Sequence, residues 1–103
     1  MDKHLTSRQM INTELAARAG NKKSSKLLKQ HVPASEQVDL KILFNCECSD
    51  PDCRERISLT LREYELLHNN RARFVIIKGH VEPSVEKVAA TAGQLSVVDK
   101  YAL

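Results

Sequence analysis

A chain of 103 residues suffices for one compact domain and is short for two ordinary ones. Its 28% charged and 42% apolar residues fit a globular protein, and with two Phe, two Tyr and no Trp the core must be aliphatic. No run of about 18 apolar residues and no apolar leader before a small-residue cleavage site occurs, so membrane spans and secretory signals find no support and a cytoplasmic location is expected. The net charge of +3 is uneven. Residues 1–31 carry Lys3, Arg8, Arg18, Lys22, Lys23, Lys26 and Lys29 against only Asp2 and Glu14, whereas the remainder is net acidic. The segment bearing Arg18, Lys22, Lys23, Lys26 and Lys29 is therefore the expected contact for an acidic protein or a nucleic acid, with a solvated surface as the plainer reading.

Thr6 and Gln9 stand in the capping-box relation that opens a helix. Met10, Ile11 and Leu15 recur at helical spacing, and Gly20-Asn21 reads as a stop, giving a helix near 7–19. Lys22 to Gln30 reads equally as further helical turns or as a basic linker ending near Pro33. The composition changes at Val38, dividing the chain into an N-terminal helix and basic linker over 1–37 and a zinc-binding α+β domain over 38–103.

Val38, Leu40, Ile42 and Phe44 alternate with Asp39, Lys41, Leu43 and Asn45, the period of a half-buried strand leading into Cys46. Ile57 and Leu59 mark a second short strand, and Ser49-Asp50-Pro51-Asp52 between the two is rich in turn formers, so an antiparallel hairpin with cysteines at its tip is expected. Thr60 and Glu63 form another capping box, and Leu61, Tyr64, Leu67 and His68 share the face of a helix near 61–69. Phe74 to Ile77 reads as a central strand. Pro83 suits the first turn of a short helix with Val85, Val88 and Ala89 on one face, ending near Gly93, and Leu95 to Tyr101 returns as a last strand. The predicted class is α+β: a small, mainly antiparallel sheet with a zinc-clamped hairpin, two short helices packed on it and a separate N-terminal helix.

Chemistry concentrates in Cys46-Glu47-Cys48-Ser49-Asp50-Pro51-Asp52-Cys53, which holds all three cysteines. Cys46 and Cys48 are two apart at a strand end and share a face, and the following turn can return Cys53 to them. An odd number of clustered thiols in a reducing compartment points to metal rather than to disulfides. Zinc takes four tetrahedral ligands, commonly Cys and His. His80, behind Gly79 at the end of a strand, is the first candidate for the fourth ligand and His68 the second. Asp50 and Asp52 would add negative charge to a site already at −1 with three thiolates and Zn2+. His4 and His31 lie in the basic part, away from the cluster.

The ordered set Phe44-Asn45-Cys46-Glu47-Cys48 to Cys53, Leu59-Thr60 with Glu63-Tyr64-Glu65, Arg73-Phe74, Gly79-His80 and Val97-Val98-Asp99-Lys100 resembles a family of short, uncharacterised bacterial proteins. That family carries F-x-C-E-C-x-D-x-x-C, L-T-x-x-E-Y-E, R-F, G-H and V-V-E-K in this order. The resemblance runs from Phe44 to Lys100 and implies that the three cysteines act with His80; it implies no activity. Asp99 stands where Glu is usual, and the basic stretch Lys22 to Lys29 has no counterpart in the pattern.

Three functions compete. The first is a binding or regulatory module whose zinc is structural, stiffening a hairpin that a small aromatic-poor core holds weakly. The second is a DNA-binding regulator, because Glu14-Leu15-Ala16-Ala17-Arg18-Ala19-Gly20 resembles a helix-turn-helix segment, although Asn21-Lys22-Lys23 lacks the apolar residue that packs its second helix. The third is thiol chemistry: a redox sensor with Arg54 and Arg56 beside Cys53, or a catalytic zinc with Glu47 or His68 as base. Gly-rich phosphate loops, nucleophile elbows and H-E-x-x-H patterns are absent from the sequence, which favours binding over catalysis.

Overall fold

The computed structural model describes residues 6–37 and 39–101. A long helix α1 (Ser7–His31) and one helical turn α2 (Ala34–Gln37) precede the hairpin strands β1 (Lys41–Asn45) and β2 (Arg56–Thr60). Helix α3 (Leu61–Leu67) follows directly, and then strands β3 (Arg73–Ile77), β4 (Glu86–Ala92) and β5 (Leu95–Lys100). β1 and β2 form an antiparallel pair in which Phe44 faces Ile57. The other sheet has the order β3-β5-β4, antiparallel throughout. The α+β class is the one expected.

Both predicted capping boxes are formed. The Thr6 hydroxyl accepts from the Gln9 amide and the Thr60 hydroxyl from the Glu63 amide, while Gln9 and Glu63 return the bond to the cap amides. Thr60 thus ends β2 and starts α3 with no loop between them, which lays Tyr64 back over the hairpin. Phe44, Ile57, Leu59 and Tyr64 from the hairpin side join Phe74, Val75, Ile76 and Val98 from the other sheet in one buried core.

Two predicted elements differ. Helix α1 does not stop at Gly20-Asn21 but runs to His31. A C-terminal glycine stop needs a left-handed residue, and only Gly79 and Gly93 have positive φ among the described residues. Gly20 instead lets the helix come close to β1, since a Cβ there would lie 3.3 Å from Asn45 Nδ2. Leu15, expected on a buried stripe, is 40% exposed; the buried side chains of α1 are Glu14, Arg18, Asn21 and Ser25.

The predicted helix after Pro83 is also absent: that stretch is strand β4, joined to β5 by Gly93-Gln94 with φ of +58° at Gly93. A positive φ at the first of two loop residues suits a tight hairpin. β4 lies on the sheet edge and is exposed beyond Glu86, with an irregularity between Val88 and Ala90, so it lacks the alternation that reveals a strand. The predicted strand start at Val38 lies outside the described residues, as does His4.

Candidate metal centre

Cys46 extends the hairpin by one bond, its amide donating to the Glu55 carbonyl at 3.2 Å. The chain then turns: the Asp52 amide donates to Asp50 Oδ1 at 2.9 Å and the Cys53 amide to the Asp50 carbonyl at 3.1 Å, which returns Cys53 towards Cys46 and Cys48. From the other sheet, β3 ends at Ile77 and the chain bends through Gly79, whose φ of 92° suits glycine alone, and the His80 amide donates to the Ile77 carbonyl at 3.0 Å. The ring of His80 thereby meets the cysteines. Its Nδ1 lies 3.5 Å from Cys46 Sγ and 3.7 Å from Cys53 Sγ.

The ligand atoms of Cys46, Cys48, Cys53 and His80 all lie within 4.8 Å of one another, a group that could hold a metal ion. A tetrahedron with Zn–S near 2.3 Å and Zn–N near 2.0 Å places its corners about 3.5–3.8 Å apart, the scale of the His80 contacts. The Ile77 amide donates to Cys46 Sγ at 3.2 Å, and the backbone amides of Asp50 and Glu55 act on the Cys48 and Cys53 thiols in the same sense. Such donors favour charged sulfur. The protons are shared unevenly: the hydrogen bond with Cys48 and then burial push the Cys46 thiol up, and burial pushes Cys53 up. Cys48 is pulled down to about 5, chiefly by the hydrogen bond from Cys46.

The other sequence candidates go elsewhere. Among the described residues Asp50, Asp52 and His68 are not part of the group. His68 and Glu47, weighed as a base beside a catalytic zinc, are joined to each other instead, with His68 Nε2 2.6 Å from Glu47 Oε1. Strand alternation explains this: if Cys46 and Cys48 face the metal site, Glu47 between them faces the interior. Its fully buried carboxylate accepts from the Tyr64 hydroxyl at 2.7 Å, Asn21 Nδ2 at 3.0 Å and the Val75 amide at 2.9 Å. The Glu47 amide donates to the Val75 carbonyl at 2.9 Å, so this one residue caps the free edge of β3 with both its backbone and its side chain. Rings stack behind it, Phe44 on Tyr64 at 4.1 Å and Tyr64 on His68 at 4.0 Å. Burial and the facing Glu47 carboxylate raise the Tyr64 hydroxyl well above its usual range.

Helix α1 reaches this network through Asn21, which accepts from the Asn45 amide at 2.7 Å and donates to the Asn45 carbonyl at 2.9 Å. Further along, Lys100 Nζ contacts both Glu86 Oε1 and Glu14 Oε2, all three side chains being sequestered from solvent. Burial and the neighbouring Glu86 raise Glu14 to about 9, so one proton offsets the excess carboxylate. Arg18 sits 4.7 Å from the Phe74 ring centre and donates to the Arg71 carbonyl. Arg18 therefore departs from Lys22, Lys23, Lys26 and Lys29, which are exposed: it is 6% exposed and its charge is spent inside the fold. Arg73, at the start of β3, is paired with Asp99 at 2.9 Å.

The buried set of Glu47, Asn21, Glu14, Glu86 and Lys100 was not legible as a site. Its trace in the sequence is the spacing of Glu14, Arg18, Asn21 and Ser25, a polar stripe with helical period.

No protein-family model matches the chain, and neither a curated protein nor a solved structure matches it. No helix among the described residues is long and apolar enough to cross a membrane.

Proposed function

We propose that the protein is a small zinc module in which Cys46, Cys48, Cys53 and His80 hold one structural Zn2+, and that it works by binding a partner rather than by catalysis. One observation carries this reading: three of the ligands come from the β1–β2 hairpin loop and the fourth from the β3–β4 connection. A metal there is a cross-link between two sheets that otherwise meet through Glu47, Cys46 and the apolar core. Three sulfurs and one nitrogen are a zinc donor set, and four protein ligands leave no position for substrate water, as in structural rather than catalytic sites. The Ile77 amide on Cys46 Sγ and the turns at Asp50 and Gly79 orient the ligands towards one point.

Hydrogen exchange on the purified protein, before and after a zinc chelator, tests this. The expected result is loss of amide protection in β1, β2 and at Ile77 to His80, restored when zinc is returned. Unchanged protection at those amides with zinc fully removed would overturn the structural role.

A further inference from the structure

A cavity lies between α1 and α3. It measures about 330 Å³ and is lined by Lys22, Lys26 and Lys29 along the helix and by Tyr64 and His68 below. The three lysines sit at i, i+4 and i+7 and so on one face. They span about 10 Å of helix. Lys29 pairs with Glu65 at 2.9 Å. Among the described residues Lys22 and Lys26 have no carboxylate partner. Lys22 also lines the neighbouring cavity with Arg71, which continues the positive surface. The floor is held rigid: the Tyr64 hydroxyl and His68 Nε2 are both tied to the Glu47 carboxylate, and His68 Nδ1 lies 2.8 Å from the Tyr64 carbonyl.

We propose that this cavity binds the phosphate groups of a phosphorylated ligand, seated on Lys22 and Lys26 with Lys29 at its rim. Two ammonium groups without carboxylate partners, one helical turn apart over a fixed floor, suit an anion of higher charge than a carboxylate. With Lys29 the row extends along about 10 Å of helix, which suits two linked phosphates, as in a diphosphate or in successive diesters of a single strand. The walls hold one carboxylate, Glu65, and it is already paired with Lys29. This site is independent of the metal assignment, because none of its lining residues is a proposed ligand.

Amide and lysine side-chain NMR shifts, followed on the zinc-replete protein with pyrophosphate and, separately, with a single-stranded oligouridylate, test the proposal and tell the two sources apart. Shifts should concentrate on residues 22–29 and 64–68. The exposed double variant Lys22→Glu/Lys26→Glu should weaken binding at least tenfold while keeping a folded spectrum. A control of equal net charge, Lys41→Glu/Lys87→Glu, should change affinity little. If the strand is the ligand, the double variant should also reduce the salt dependence of binding by about 0.7 per lysine. Absence of shifts at these residues with both probes would overturn the proposal, as would equal weakening in the control.

Discussion

Where the hairpin meets the three-stranded sheet, the buried groups are Phe44, Ile57, Leu59, Phe74, Val75 and Ile76, with cysteines at one end. Where α1 meets the same body, its buried side chains are Glu14, Arg18, Asn21 and Ser25. The first contact is held by area removed from water, which is indifferent to small shifts, and by the proposed cross-link. The second is held by polar groups, whose burial is costly unless each finds its partner: Asn21 makes three hydrogen bonds, whereas among the described residues Glu14 Oε1 and Arg18 Nε are buried without one. Apolar burial thus supplies stability at one joint, while polar matching fixes the position of the helix at the other. Glu47 belongs to both, since its backbone leaves the cysteine loop and its carboxylate accepts from Asn21.

The largest effect should come from breaking the sheet-to-sheet joint. Cys48→Ser should abolish cooperative unfolding of the domain, because structural zinc in small domains contributes about 10–16 kcal/mol, as much as a whole domain's stability; urea denaturation followed by circular dichroism would read it. At the helix joint, Lys100→Met leaves Glu14 and Glu86 buried without their cation and should cost about 3–5 kcal/mol by the same measurement. Asn21→Ala removes three hydrogen bonds and leaves the Asn45 backbone unpaired, an expected loss of about 2 kcal/mol.

Glu14→Gln should sharpen the comparison, since its sign is opposite. Glu14 is raised from 4.5 to about 9 in the fold, so between those values the folded chain holds a proton that the unfolded chain has released. Stability should therefore fall as pH rises through that window. The glutamine variant should lose this slope and exceed the wild type near its upper end, as read from urea midpoints at several pH values. Thr6→Ala, which removes only the α1 cap, should cost about 1 kcal/mol and leave the hairpin's amide protection unchanged.

These two joints also explain what was legible in the sequence. The hairpin announced itself because Phe44, Ile57 and Leu59 alternate with polar neighbours and the cysteines cluster at a turn. Gly79-His80 stood out at the end of a dense β-branched run. The helix joint was hidden because its buried residues are those that sequence reading assigns to solvent, and Gly20-Asn21 served close approach and hydrogen bonding where it looked like an ending. Strand β4 was hidden for a third reason. It pairs with β5 at long range and is exposed on both faces past Glu86, so Val85, Val88 and Ala89 carried a helical spacing that pairing overrode.

The central claim is that one metal ion joins the two sheets through ligands from both. Native mass spectrometry of the wild type beside Cys48→Ser and His80→Ala measures this directly. The account predicts one zinc per wild-type chain, and its loss or weakening in both variants, whichever sheet supplies the missing ligand. A wild-type chain that is folded and carries no metal, or a His80→Ala chain that retains its zinc at full affinity, would contradict it.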